Sequence, residues 1–186
     1  MITNIQLVKF AEAMLGHEYW YGTYCQPSSK SLLEAKRKQY PKYYDQSKYS
    51  KGWTCDGRKV TDCAGLIKGA NWCNGDINAT PKYNSKEDLS ANGLYEAAKE
   101  KGNLDTLPNI PGIILWKNGH VAISLGDGKR CIEAKGHDSG VVISNIKERP
   151  FTNWFKCNFI EYKKPSTINV TVVCDGKTYN GNIEEV

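Results

Sequence analysis

Cys63 follows an aspartate and precedes two small residues, in Thr61-Asp62-Cys63-Ala64-Gly65-Leu66-Ile67, and the apolar residues after it read as a helix. A thiol on the first turn of a helix sits among backbone N–H groups that lack intrahelical partners, at the positive end of the macrodipole. Both favour the thiolate, which is the nucleophilic form. Ala64 and Gly65 leave room for a substrate backbone to approach closely. A lone cysteine is more often a small buried hydrophobe. Nucleophilic chemistry therefore also needs a base, and a group to orient that base.

The chain has 3 histidines, His17, His120 and His137. His120 opens a predicted strand after Gly119, and Asp127-Gly128 is a strong hairpin turn leading into the next. With a two-residue turn, position 126 pairs with 129 and 120 lies opposite 135. Side chains at 120, 133 and 135 then share one face. Glu133 becomes a diagonal neighbour of His120, roughly 7–8 Å away at the backbone, a gap its long side chain spans. A four-residue loop gives the same face, and a three-residue loop puts Glu133 on the other. A carboxylate so placed holds the imidazole and stabilises imidazolium, as the acid of a hydrolytic triad does. Taken singly, His120 reads as a half-exposed strand residue and Glu133 as a surface carboxylate beside Lys135. Together with Cys63 they read as base, orienting acid and nucleophile. His137, in the turn from Gly136 to Gly140, is the rival for the third place.

The elements that must position these groups follow an α+β order, helices first and strands afterwards. Residues 4–15 predict a helix with Asn4 as N-cap and Gly16 as its stop. The aromatic run from His17 to Thr23 follows, as a loop pinned by burial or as a cleft wall. Residues 26–56 look like an insertion, helical from Ser28 to Gln39 and stopped by Pro41. In it Tyr40, Tyr43, Tyr44 and Tyr49 alternate with lysines and Arg37. Such a mixture can grip sugars or nucleic acid, but is more often a solvated helix and loop. Ser85 starts a capping-box-like helix reaching about Lys101. Strands are expected over 112–116, 120–125, 130–135, 141–145 and 158–162, as an antiparallel meander. Residues 1–162 thus form one domain, 163–167 a linker, and 168–186 a hairpin tail around Asp175-Gly176.

Composition narrows the classes. The net charge of +5, from 25 basic and 20 acidic residues, suits an anionic polymer as partner without specifying one. No apolar run approaches the ~18 residues of a membrane span. The first residues lack the basic and apolar segments of a secretory signal, so synthesis in the cytosol is expected, with release or a non-standard route for work outside the cell. The 7 cysteines are an odd count without a C-x-x-C pair, which argues against a disulfide framework or a zinc cage.

Asp62-Cys63-Ala64-Gly65-Leu66-Ile67 resembles the nucleophile motif of the NlpC-type bacterial cell-wall cysteine peptidases, normally Asp-Cys-Ser-Gly followed by apolar residues. Gly119-His120-Val121-Ala122-Ile123-Ser124-Leu125-Gly126-Asp127-Gly128 resembles that family's histidine strand and hairpin, and Tyr19-Trp20-Tyr21-Gly22 its aromatic-glycine segment. Residues 131–136 and 149–154 further resemble phage-associated, endolysin-like members. The resemblance covers residues 1–162 apart from the insertion.

It implies a papain-like core and hydrolysis of peptidoglycan stem peptides, usually between γ-D-glutamate and the following diamino acid. Cys63 would be the nucleophile, His120 the base and Glu133 the orienting group. Tyr19, Asp62 and Ala64 would lie on the substrate side. No metal or organic cofactor is implied, and the partners would be stem peptides and anionic wall polymers rather than nucleic acid. The sequence departs from the family pattern at Ala64, where serine is usual, and at Glu133, where many members carry histidine or another polar residue. The competing readings are an N-acetylmuramoyl-L-alanine amidase with the same thiol chemistry and a non-catalytic wall-binding module.

Overall fold

The structure, a computed structural model, describes residues 1–163, 167–175 and 177–184. In chain order the elements are β1 (Ile2–Thr3), α1 (Asn4–Ala13), β2 (Tyr24–Pro27), α2 (Lys30–Gln39), β3 (Lys59–Thr61), α3 (Cys63–Trp72) and α4 (Ala91–Ala97). There follow β4 (Lys101–Asn103), β5 (Ile114–Lys117), β6 (His120–Ser124), β7 (Arg130–Gly136), β8 (Gly140–Asn145), β9 (Asn153–Phe155), β10 (Ile160–Glu161), β11 (Thr167–Cys174) and β12 (Lys177–Glu184). The fold is α+β with mainly antiparallel sheets, but the strand expected at 158–162 is not in the meander: as β10 it pairs in parallel with β1 instead. β5 to β8 form the meander, and β9 and β4 extend it to the order β4-β9-β5-β6-β7-β8. β1 pairs in parallel with β10, β2 pairs with β3, and β11 pairs with β12 as the tail hairpin. The linker expected at 163–167 falls largely on residues 164–166, outside the described residues, as does Gly176 of the tail turn.

Strand alternation divides the apolar residues between two cores. Ile114, Val121, Ile123, Ile132, Ala134 and Phe155 face α1 and α3, packing on Leu7, Phe10, Leu66 and Ile67. Leu115, Ala122, Cys131 and Trp154 face the other way, onto Ile146 and Phe151. A third cluster joins Trp20 and Val60 to Leu33 and Tyr44 of the insertion, which is therefore docked on the body rather than loose. No helix among the described residues is long and apolar enough to cross a membrane.

Two helix boundaries differ from expectation. Thr3, not Asn4, caps α1. Its hydroxyl accepts from the Gln6 N–H at 3.2 Å, and the Gln6 side chain accepts from the Thr3 N–H at 2.9 Å. Asn4 lies in the first turn, fully buried, donating to the carbonyls of Pro111 and Lys163. The helix expected from Ser85 to about Lys101 is a single 3-10 turn over Ser85–Glu87, followed by α4, whose cap Ser90 accepts from the Gly93 N–H at 3.1 Å. Between them Asp88 is drawn to Lys68 and Tyr83. A side chain committed to tertiary partners outweighs the weak local preference for continuing a helix. Residues 101–103 join the sheet instead.

Candidate active site

Cys63 opens α3, and the preceding Asp62 is the N-cap. The Asp62 carboxylate accepts from the N–H of Gly65 at 2.6 Å and from that of Gly22 at 2.9 Å. Both oxygens are thus held by backbone, and Asp62 ties the aromatic segment to the start of α3. Gly65 is small for a packing reason. A Cβ there would collide with the Thr23 carbonyl, so its missing side chain admits the backbone leading into β2 rather than a substrate. Ala64 and Cys63 remain as the residues of this turn that line the cleft.

That cleft, of about 570 Å³, opens at the start of α3. Its walls come from Tyr19, Tyr21 and Gly22, from Lys36, Gln39 and Tyr40 of the insertion, from Ser90 to Asn92, and from Gly119. The insertion reads in sequence chiefly as a solvated helix and loop. It supplies one wall, because Tyr40 lies against Gly22, whose φ of +74° and lack of a Cβ make the space. Asn92 is a residue that sequence reasoning missed. Its side-chain oxygen accepts from the N–H of Gly119 at 2.7 Å and from Trp116 Nε1 at 3.2 Å, fixing the turn before His120. Its only sequence signal is its place just inside a helix N-terminus.

The hairpin keeps the expected register. Ile123 faces Ile132 and Ser124 faces Cys131, so the positions sum to 255. Asp127 secures it by accepting from the N–H groups of Lys129 and Arg130, each at 2.8 Å. His120 and Glu133 accordingly share a face, with His120 Nε2 2.6 Å from Glu133 Oε2. Glu133 is fully buried and paired with Arg149, not Lys135. Arg149 Nε lies 2.7 Å from Oε1, and Nη2 donates to Oε2 at 3.0 Å. Phe151 stacks beside the imidazole with ring centroids 6.0 Å apart. Burial pushes the Glu133 carboxyl up, but His120, the Ser144 hydroxyl and Arg149 outweigh it and hold the group down at about 2.

An ionised carboxylate can only accept, so Nε2 of a neutral His120 carries the proton and Nδ1 carries the free lone pair. Gly119 lines the cleft with Cys63, and the N–H of Val121 faces the Cys63 sulfur. His120 lies between these two neighbours at the first position of its strand. Its side chain, with Ala122, is on the face turned to Phe151 rather than the Val121 face packed on α3. Among the described residues no hydrogen bond joins it to Cys63. His137 is occupied elsewhere. Its Nδ1 lies 3.3 Å from the Tyr19 carbonyl and its Nε2 2.9 Å from that of Lys51, so it ties the insertion to the cleft wall. His17 Nδ1 lies 2.8 Å from the Lys59 carbonyl.

No protein-family model, curated protein or solved structure matches this chain. What the site can do rests on its own geometry. Among the described residues no cluster of three or more His, Cys, Asp or Glu could hold a metal ion.

The thiol itself departs from expectation. Burial, followed by the Asp62 charge, pushes Cys63 up to about 12, against the N–H groups of Val121, Ala64 and Cys63 that pull it down. Desolvation wins because the sulfur is nearly enclosed. Tyr19 is raised too, by burial and then by the neighbouring Cys63 and Asp62, so its phenol stays neutral. Cys63 thus rests as a thiol, and for nucleophilic attack it would need a proton acceptor, for which His120 Nδ1 is the candidate. Iodoacetamide is expected to label Cys63 near neutral pH in the wild type. In His120→Ala labelling should slow at least ~10-fold and shift to alkaline pH, since thiolate fraction sets the rate. Peptide mapping reads both, and equal rates mean the thiol is activated without His120.

Proposed function

We propose that the chain is a cysteine peptidase of the NlpC type, with a papain-like core, that cleaves peptidoglycan stem peptides between γ-D-glutamate and the following diamino acid. The observation that carries this reading is the buried His120–Glu133 pair at 2.6 Å, which leaves Nδ1 as the base at the strand that borders the Cys63 helix start. The motif resemblance supplies the substrate class. The antiparallel sheet packed behind α3 accords with a papain-like arrangement.

In this mechanism His120 Nδ1 takes the Cys63 proton as Sγ attacks the scissile carbonyl. The Cys63 N–H at the helix start stabilises the oxyanion. Imidazolium, held by the Glu133 carboxylate, then protonates the leaving amine as the C–N bond breaks. Water, deprotonated by the same Nδ1, releases the acyl group and restores the thiol. Tyr19 and Ala64 line the substrate's path, and Asp62 shapes it by holding Gly22 and Gly65.

Digestion of purified sacculi followed by mass spectrometry tests the reading. New amino termini on the diamino acid are expected. Free stems released at the lactyl group would instead assign an N-acetylmuramoyl-L-alanine amidase, and wall binding without soluble products would assign a binding module.

A further inference from the structure

The cleft's charges are unevenly satisfied. Its charged lining residues are Lys36, Asp62, Lys68 and Asp88. Lys68 and Asp88 neutralise each other at 2.5 Å. Asp62 is held by two backbone N–H groups. Lys36 has no carboxylate within ion-pair distance among the described residues. Its Nζ donates to Gln39 Oε1 at 3.1 Å and stands 5.5 Å from the Tyr40 ring centroid.

A surface helix normally pairs a lysine with an acid three or four positions away. Here those positions are Leu32, Leu33, Gln39 and Tyr40, so α2 offers Lys36 no such partner. Nor is the helix free to drift. Leu33 packs with Trp20 and Tyr44, the Tyr44 hydroxyl donates to the Tyr21 carbonyl at 2.8 Å, and Tyr40 lies against Gly22. A half-buried cation is thus carried to a fixed place on the wall of the cleft that holds Cys63.

We propose that Lys36 receives a carboxylate of the substrate, so that the site selects acidic over amidated peptides; this rests on the peptidase reading above. Partial burial already pushes the Lys36 ammonium down, and an arriving carboxylate would offset that loss of solvation. In a stem peptide the carboxylate has two sources. One is the α-carboxylate left free by a γ-linked glutamate, and the other is the C-terminus of the stem.

The test uses stem peptides in acid and amide form at each position separately. The wild type is expected to prefer the acid at one position by ~10-fold in kcat/KM, the scale of one partly exposed charged hydrogen bond. The position that shows the preference identifies the source. Lys36→Met should collapse the acid-to-amide ratio toward one, and Lys36→Arg should restore most of it, while thermal midpoints confirm that both variants fold. The same peptides are titrated calorimetrically against Cys63→Ser protein. Acid-dependent binding that Lys36→Met abolishes supports the inference even if no peptide is cut, an outcome that overturns the peptidase reading alone. Equal treatment of acid and amide at both positions by the wild type, or a ratio unmoved by Lys36→Met, overturns the inference while leaving cleavage intact. Absence of any binding overturns both.

Discussion

Cys63→Ser is expected to lower stem-peptide cleavage by at least ~10⁴-fold, the order seen when a nucleophile is removed from a working triad. The size follows from the site. In the proposed mechanism His120 takes the proton of a thiol that burial holds at about 12, a transfer that works only because sulfur is an acidic and strongly nucleophilic partner. A serine hydroxyl is several pK units weaker as an acid and gains nothing from its enclosure. The fold should survive. Serine is nearly isosteric with cysteine, and its hydroxyl would meet the N–H groups that face the sulfur, so a loss of no more than about 1–2 kcal/mol is expected for burying it. For a chain of this size that moves the thermal midpoint by only a few degrees. Folded Cys63→Ser protein that still digests walls at the wild-type rate would make Cys63 a core residue and end the peptidase reading. Cys25, Cys131 and Cys157 are buried and pushed up to about 12 by burial, and they lie outside the cleft lining. Serine at any of them should leave the cleavage chemistry in place.

Much of this site was legible because its parts are local. The Asp62–Cys63 step is a helix cap and first turn, and its small residues follow directly in sequence. The His120–Glu133 pairing depends only on a hairpin register, which a period of two and a Gly-Asp-Gly turn constrain tightly. What escaped is long-range. Arg149 reaches Glu133 from beyond β8, a contact that no spacing encodes. β9 slips between β4 and β5, although β4 and β5 are nearer each other in sequence. The insertion read as a basic, aromatic and solvated segment, yet its aromatics form a core with Trp20 and Val60 that sets one wall of the cleft. The thiol's resting state was missed for the same reason. A helix start is visible in sequence, whereas the enclosure that outweighs it is assembled by β6 and by the segment around Tyr19.

Glu133→Gln separates orientation from charge, and it should reduce cleavage by about 10²–10⁴-fold, as at comparable orienting carboxylates. Glutamine keeps the shape and can present its oxygen to His120 Nε2. It removes the negative charge that stabilises imidazolium, and so the thiolate–imidazolium pair becomes less favourable. The Cys63 labelling profile should accordingly shift further to alkaline pH. The substitution also leaves Arg149, 19% exposed at its side chain, without its counter-charge. A loss of about 2–3 kcal/mol is expected, below the ~3–5 of a fully enclosed pair because some solvent reaches the guanidinium. Arg149→Met tells the two effects apart. It should cost similar stability but far less activity, since the 2.6 Å contact to His120 remains. A pH series adds a sign-specific check. The folded carboxyl sits at about 2 against an ordinary 4.5, so its contribution to stability is complete above about pH 5 and is lost as the pH falls toward 2. The wild type should show this acid-side loss, and Glu133→Gln, with nothing to titrate there, should show it much reduced. Activity that survives Glu133→Gln while stability falls would make the charge of Glu133 a structural counter-ion for Arg149 and leave a neutral side chain at 133 sufficient to orient His120.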